Sequence, residues 1–252
     1  MSIISADIIE RCVDVIKKSN NTMVITGAGM STESGIPDFR SQSGLYKNAY
    51  RAEDILEQSF FYENPKEFYE FVEKYLYVKN VKPNVGHEIL AKWEKKGYIN
   101  AIATQNIDGL HQAAGNKNVI EMHGTMITAT CQKCGKKYKL EDIINKDYDG
   151  NYYCSCSPKS RRSLIKPDIV LYGEAVPKMA EAFELVGSVD LLIILGTSLV
   201  VYPVASIPNY LKRGASMIII NYSQTPYENA ANCINIHNGI GDTLQEIDRY
   251  II

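Results

Sequence analysis

Short apolar runs alternate along the chain with longer segments in which apolar residues recur every three or four positions. The short runs predict buried strands at 23–26, 100–104, 119–122, 190–195 and 217–220. The longer segments predict helices at 6–19, 52–58, 65–77, 85–95 and 178–186. Strands with almost continuous apolar runs are buried on both faces, so we expect an α/β fold with a parallel sheet covered by helices on both sides.

Polar residues gather directly after five of the predicted strands. They are Thr26 and Gly27, then Gln105, Asn106 and Asp108, then His123, then Thr197 and Ser198, and finally Asn221. In open α/β sheets, ligands bind outside the carboxyl ends of the strands. We therefore expect these side chains to meet in one crevice.

The segment TMVITGAGMSTESGIPDFR at 22–40 runs from the first predicted strand into a glycine turn. A helix starting at Ser31 or Thr32 as N-cap would present backbone N–H groups to a phosphate, and Gly27 and Gly29 have no Cβ to block that ligand. Thr32 stands where the third glycine of G-x-G-x-x-G would be, which disfavours an ordinary dinucleotide-dependent dehydrogenase. Taken alone, the turn fits either a phosphate site or a plain tight turn.

Four of the six cysteines form the pattern C-x2-C-x19-C-x-C, namely Cys131, Cys134, Cys154 and Cys156. Two close pairs of thiolates suit a tetrahedral zinc ion, and four protein ligands leave no position for water, so the metal would be structural. The alternative is two unrelated pairs of free thiols. Cys12 and Cys233 stand apart and fit small buried apolar positions.

Length and charge narrow the class of protein. A chain of 252 residues fits one core with insertions, and a net charge of −2 provides no global field toward nucleic acid or an anionic membrane. The N-terminal segment is typical of an amphipathic helix rather than a signal peptide, and the apolar runs are much shorter than the roughly 20 residues that span a bilayer. We expect a cytoplasmic protein without membrane or nucleic-acid partners. The sequence leaves the oligomeric state open, with a monomer as the default.

His123 is the candidate general base, because it follows a strand and its ordinary pKa near 6.5 suits proton transfer at neutral pH. His87 lies within a predicted helix and is expected to be structural. The chain lacks a G-x-S-x-G nucleophile elbow, and its zinc site has no open position. A bound cofactor must therefore carry the difficult chemical step.

Taken together, several motifs closely resemble those of the sirtuins, the NAD-dependent protein-lysine deacylases. They are TGAGMS, GIPDFR, TQNID, EMHG, the four cysteines, KPDIVLYGE, GTSLVVYP and the late Asn221, and they span essentially the whole chain. The resemblance implies one catalytic domain over 1–252. Its Rossmann-like core would comprise 1–40, 85–124 and 165–252, with a helical insertion at 41–84 and a zinc module at 125–164. The C-x-C of the second cysteine pair departs from the commoner sirtuin C-x2-C.

By this resemblance, the protein transfers the acetyl group of an acetylated lysine to the ADP-ribose part of NAD, with release of nicotinamide and O-acetyl-ADP-ribose. His123 and Asn106 would be catalytic, and acetylated proteins would be the partners. The expected NAD-binding residues are Gly27, Ala28, Gly29, Thr32, Phe39, Arg40, Gln105, Asn106, Ile107, Asp108, His123, Gly196, Thr197, Ser198, Asn221 and Ile240, the last in a loop. The expected substrate-binding residues, which would pair with the substrate backbone as strands, are Ile169, Val170, Leu171, Tyr172, Gly173, Val200 and Val201.

Three alternatives bear on this hypothesis. The same NAD pocket would serve a protein ADP-ribosyltransferase, and a zinc-stabilised NAD-binding module would need no base. The apolar stretches assigned to substrate would also fit simple core burial. Sirtuins that remove succinyl groups carry Tyr-x-x-Arg, whereas Val72 and Tyr75 stand at the corresponding positions here, so a neutral acyl group is expected.

Overall fold

The computed structural model describes residues 4–38, 52–144, 152–156, 158 and 163–251. Its strands are β1 (Thr22–Thr26), β2 (Ala101–Thr104), β3 (Val119–Glu121), β4 (Gly124–Cys131), β5 (Lys137–Lys139), β6 (Tyr153–Cys154), β7 (Ser163–Ile169), β8 (Leu191–Leu195), β9 (Ser216–Ile220) and β10 (Cys233–Ile236). Its α-helices are α1 (Ala6–Lys18), α2 (Ala52–Ile55), α3 (Gln58–Glu63), α4 (Pro65–Phe71), α5 (Val85–Lys96), α6 (Leu110–Ala114), α7 (Leu140–Ile144), α8 (Met179–Val186) and α9 (Ile240–Ile251).

The larger sheet has six strands in the order β10-β9-β8-β1-β2-β3, and every neighbouring pair is parallel. Alternate residues of each strand point to opposite faces, so Val24 packs on the side of α1, α5 and α9. Met23 and Ile25 pack on the other side, with α8 and the 3-10 segment Val204–Tyr210. The predicted parallel sheet with helices on both faces is confirmed.

A smaller antiparallel sheet has the order β5-β4-β7-β6 and carries the four clustered cysteines on β4, β6 and the adjoining turns. It shares one hydrophobic cluster with α2, α3 and α4, and the Tyr69 hydroxyl of α4 donates to the Ile165 carbonyl of β7 at 2.6 Å. The helical segment and the cysteine segment therefore pack as one body beside the larger sheet. β7 continues to Ile169, past the predicted module boundary at 164.

Several predicted elements differ in detail. The helix expected at 52–58 ends at Ile55 as α2, and the separate helix α3 starts at Gln58; the helix expected at 65–77 is α-helical only to Phe71. It continues as a π-helical turn, Val72–Leu76, which the Tyr77 N–H closes on the Val72 carbonyl at 2.8 Å. Ile240 begins α9 rather than lying in a loop. Among the described residues, no helix is both long and apolar enough to cross a membrane.

Candidate active site at the carboxyl ends of the parallel strands

A cavity of about 790 Å³ opens at the carboxyl ends of β1, β2, β8 and β9. The structure places residues of all five predicted polar clusters on its wall, but Thr26 is fully buried and does not line the cavity. The described residues expected to bind cofactor or substrate also line it: Gly27, Ala28, Gly29, Thr32, Gln105, Asn106, Ile107, Asp108, His123, Ile169, Val170, Leu171, Tyr172, Gly173, Gly196, Thr197, Ser198, Val200, Val201, Asn221 and Ile240. Phe39 and Arg40 lie outside the described residues.

The glycine turn after β1 packs directly on the loop after β8. A Cβ on Gly27 would lie 2.6 Å from the Thr197 Cβ, and one on Gly29 would lie 2.8 Å from the Gly196 Cα. Gly196 itself has a φ of 61°. The two loops thus need glycine because their backbones touch each other. This packing is a reason for glycine that the sequence did not show, and Gly27 and Gly29 also line the cavity.

The helix expected to start at Ser31 or Thr32 is present only as a short 3-10 turn. Two short 3-10 turns, Ala28–Met30 and Thr32–Ser34, follow β1. The Ser31 hydroxyl donates to Asp108 Oδ2 at 2.7 Å, and the Thr32 hydroxyl donates to the Gly29 carbonyl at 3.0 Å. Ser31 stands at the N-cap position of the second turn, but its side chain makes no capping hydrogen bond.

Ser31 connects the two polar residues expected to hold nicotinamide. The buried Asn106 amide donates to the Gly27 carbonyl at 3.1 Å and to Ser31 Oγ at 3.0 Å, so both of its N–H bonds point into the protein. Asp108 accepts from Ser31 and, at 2.9 Å, from the Leu110 backbone N–H. The Asn106 carbonyl oxygen and the remaining lone pairs of Asp108 stay available on the cavity wall. Ser31 was missed as a site residue, although it belongs to the TGAGMS motif.

Two buried histidines lie behind this wall. The His111 Nε2 is 3.0 Å from the Thr26 hydroxyl, which donates to Thr104 Oγ1 at 2.8 Å, and the His87 and His111 rings are 4.8 Å apart. Burial lowers the pKa of His87 to about 4 and that of His111 to about 3. Both rings are therefore neutral at pH 7, and His87 is structural as expected.

His123 lies half-buried on the cavity wall, two residues after the end of β3. Its Nδ1 is 3.0 Å from the Gln105 carbonyl, and since a carbonyl only accepts, Nδ1 must carry the proton. Nε2 then keeps its lone pair in the neutral ring. Burial lowers the pKa of His123 below its usual 6.5, although the hydrogen bond that its Nδ1–H donates to the Gln105 carbonyl opposes that shift. This ring is a base at neutral pH.

The cavity has a polar side and an apolar side. Leu56, Met126, Ile169 and Leu171 belong to the hydrophobic cluster of the smaller sheet and line the apolar side. Tyr75 and Leu76 join them from the π-helical turn, whereas Val72 is fully buried in that cluster and does not reach the cavity. Within the described lining, the charged side chains are all acidic: Glu33, Asp38, Asp108 and Glu174.

The remaining expected site residues also line the cavity. Gln105 donates to Thr197 Oγ1 at 2.9 Å, and the Asn221 amide donates to the Ser223 carbonyl at 2.7 Å. Val170 and Val201, for which burial and substrate contact were both open, are half-buried on the wall. Val200 is 52% exposed, more than a core residue would be. Tyr222 and Asn238 also line the cavity and were missed, because no motif marked them.

The four clustered cysteines fit a zinc ion. All four Sγ atoms lie within 4.8 Å of one another, and the Cys131–Cys156 and Cys134–Cys154 sulfurs are each 3.7 Å apart. A tetrahedral site with zinc–sulfur bonds of about 2.3 Å separates its sulfurs by about 3.8 Å. The Tyr138 hydroxyl, 3.0 Å from the Cys154 sulfur, lowers the pKa of that thiol to about 6. The C-x-C pair thus presents both sulfurs to one centre.

Comparison with known proteins decides the family. The family model described as the Sir2 family matches residues 27–203, which include the glycine turn, His123 and the cysteine cluster. The chain belongs to the Sir2 family. The resemblance to sirtuins drawn from the motifs is confirmed.

Several curated Sir2 relatives are named NAD-dependent protein deacetylase. That of Thermotoga maritima is 44% identical over 223 residues, covering 87% of this chain and 89% of the relative. That of Clostridium tetani is 44% identical over 237 residues, covering 92% and 93%.

Solved Sir2 structures match nearly the full length of the chain. One described as Sir2 with a p53 peptide and NAD+ has a TM-score of 0.85 at 38% identity, covering 96% of this chain and 97% of that one. Another, described as Sir2 bound to acetylated peptide, has a TM-score of 0.85 at 37% identity, covering 97% and 99%.

Proposed function

We propose that this Sir2 protein is an NAD-dependent protein-lysine deacetylase, which moves the acetyl group of acetyl-lysine to ADP-ribose. The observation that carries the proposal is one cavity holding a neutral His123, the Asn106–Ser31–Asp108 network and an apolar wall. The relatives named NAD-dependent protein deacetylase, and the solved Sir2 structures with NAD+ and with acetylated peptide, support it.

The polar side of the cavity fits NAD. Ser31, Thr32, Gln105, Thr197 and Ser198 offer hydroxyl and amide groups of the kind that bind ribose hydroxyls. Asn106 offers a carbonyl oxygen and Asp108 a carboxylate, both acceptors for the carboxamide N–H bonds of nicotinamide. When bound, NAD supplies the glycosidic bond whose cleavage releases nicotinamide and opens C1′ to the acyl oxygen.

His123 takes the role of general base. Its Nδ1 is held by Gln105, so the free Nε2 lone pair removes a proton from a ribose hydroxyl. Ring orientation and tautomer are both set by that one hydrogen bond. Asn106 is assigned to the nicotinamide side, where its inward-facing N–H groups fix the direction of its carbonyl oxygen.

The acetyl-lysine enters along the apolar side. The segment 169–173, which we call the lip, and Val200–Val201 both line the cavity, and we assign them to pairing with an extended substrate backbone. The acyl chain then faces Ile107, Met126 and Leu76. A zinc ion held by the four cysteines would have no open coordination position and would stabilise the smaller sheet.

The test is incubation of the purified protein with an acetyl-lysine peptide, with and without NAD, followed by mass spectrometry. We expect NAD-dependent loss of acetyl, with one nicotinamide and one O-acetyl-ADP-ribose for each lysine released. ADP-ribose attached to protein, with the peptide intact, would instead establish a transferase. Binding of NAD without turnover of either kind would leave only the binding-module alternative.

A further inference from the structure

A buried ion pair lies directly beneath the lip of the cavity formed by 169–173. Lys166 of β7 and Glu174 are 3.0 Å apart, and their side chains are only 9% and 18% exposed. Neither residue was expected to belong to the site. Removing two charges from water costs free energy. A buried ion pair offsets this cost only when its remaining donors and acceptors also form hydrogen bonds.

Both members of the pair also bond to the backbone of the lip. Lys166 Nζ donates to the Ile169 carbonyl at 2.6 Å, and Glu174 Oε2 accepts from the Leu171 N–H at 2.8 Å. The Glu174 N–H in turn donates to the Leu171 carbonyl at 3.0 Å. The ion pair therefore joins the two ends of the nine-residue segment from Lys166 to Glu174.

The opposite edge of the same segment is bonded to the rest of the site. The Val170 N–H donates to the His123 carbonyl at 2.9 Å, and the Tyr172 N–H donates to the Leu56 carbonyl at 3.0 Å. Where the segment passes Gly124, a Cβ would lie 2.0 Å from the Asp168 carbonyl oxygen. The lip is thus held on one edge by hydrogen bonds to the His123 and Leu56 carbonyls, and on the other edge by the ion pair.

We infer that Lys166 and Glu174 are positioning residues for the acylated peptide, which act by holding the 169–173 lip in the conformation that receives the substrate backbone. The inference rests on the proposed function, because the substrate is the acetylated peptide. The residues assigned to NAD are anchored to the larger sheet, and the His123 ring is held by Gln105, so the pair affects peptide binding and spares NAD binding.

Two substitutions at Glu174 separate positioning from stability. A single oxygen, Oε2, accepts from both Leu171 and Lys166, so Glu174→Gln can keep both hydrogen bonds with its one amide oxygen while losing the charge. Glu174→Ala loses both bonds. We expect Glu174→Ala to raise the peptide KM at least about tenfold, with kcat and the NAD KM within about threefold of wild type. Glu174→Gln should restore the peptide KM to within about threefold, although its melting temperature falls because Lys166 is left unbalanced.

Asp248→Ala is the matched control. Asp248 forms an ion pair with Lys92 at 2.6 Å and accepts from Trp93 Nε1 at 2.9 Å, in a partly buried position away from the cavity lining. This variant should lose stability with an unchanged peptide KM. The inference is overturned if Glu174→Ala keeps a wild-type peptide KM, or if Glu174→Ala and Asp248→Ala raise it equally.

A second measurement does not depend on turnover. Hydrogen exchange at the Leu171 amide should be slow in the wild type and markedly faster in Glu174→Ala, and binding of an acetylated peptide by calorimetry should weaken in parallel. If the wild type shows no NAD-dependent deacetylation, the proposed function fails, and these two readouts still decide the positioning role. Unchanged exchange at Leu171 in Glu174→Ala would overturn it.

Discussion

At the scale of single residues, the site depends on contacts between side chains far apart in the sequence. Ser31 reaches Asp108 across 77 residues, and Thr26 reaches His111 across 85. Motifs identified the residues that face the cavity, because those residue types carry recognisable chemistry. They did not identify Ser31, Lys166 or Glu174 in their actual roles, since each acts through a partner that only the fold brings close.

His123 should be indispensable for turnover and dispensable for folding. Replacing it with alanine removes the base, which contributes on the order of 100-fold or more to a proton-transfer step. We expect His123→Ala to lose deacetylation by at least about 100-fold, with NAD binding and melting temperature preserved. Turnover near the wild-type level would disprove its assignment as the base.

The pH dependence of turnover follows from the lowered pKa of His123. The neutral ring is the active form, so kcat/KM should be level above pH 7 and fall on the acid side. Because burial lowers this pKa, half of the activity should remain at a pH below 6.5. A half-maximal point above pH 6.5 would contradict the effect of burial.

His87 and His111 should make the protein less stable in mild acid. In the unfolded chain both rings take up a proton near pH 6.5, whereas in the folded protein burial holds their pKa values near 4 and near 3. The contribution of the two histidines to the free energy of unfolding is therefore complete above pH 6.5. It is lost as the pH falls below 6.5, by up to about 1.4 kcal/mol per histidine per pH unit. Urea unfolding should show that the free energy of unfolding of the wild type falls between pH 7.5 and pH 5.5. In His111→Gln this fall should be about 1.4 kcal/mol smaller. An equal fall in the wild type and in His111→Gln would mean that His111 is protonated as readily in the folded protein as in the unfolded chain.

At the scale of elements, the buried parallel strands were predictable because both faces are apolar. The strands of the smaller sheet were not, since each mixes exposed and buried positions: β4 reads GTMITATC and β5 reads KYK. β10 and α9 were also missed, the first being four residues long. The cysteine spacing located this region, although it could not show that its sheet shares a hydrophobic cluster with α2, α3 and α4.

Zinc should be needed for that region to fold. Cys131 lies on β4 and its sulfur is within 3.7 Å of Cys156, so Cys131→Ala removes one of four ligands from a buried position. We expect loss of bound zinc by elemental analysis and a lower melting temperature. Cys233→Ala, a half-buried thiol outside the cluster, is the control and should keep one zinc per chain. Zinc content and melting temperature equal to wild type in Cys131→Ala would argue against a structural metal.

At the scale of the whole molecule, the larger sheet and the smaller sheet with its helices both line the cavity, and one side of the cavity is polar while the other is apolar. The larger sheet contributes the polar ends of its strands, and the smaller sheet with its helices contributes the apolar wall. This division was not visible in the sequence, because the apolar wall is assembled from α2, the π-helical turn and β7, which are far apart along the chain. We expect this division to determine which acyl groups the cavity accepts.

Neutral acyl groups should be strongly preferred over dicarboxylic ones. The described lining offers an anionic acyl chain no lysine or arginine and includes the carboxylates Glu33, Asp38, Asp108 and Glu174. Burying a carboxylate among apolar groups without a counter-ion costs several kcal/mol, so kcat/KM for a succinyl-lysine peptide should be at least about tenfold below that for acetyl-lysine. Tyr75→Arg places a cation on the cavity wall and should raise the succinyl-to-acetyl ratio, whereas Tyr62→Arg, at an exposed tyrosine outside the lining, should leave it unchanged. Comparable turnover of the two peptides by the wild-type protein would show that electrostatics of the wall does not select the acyl group.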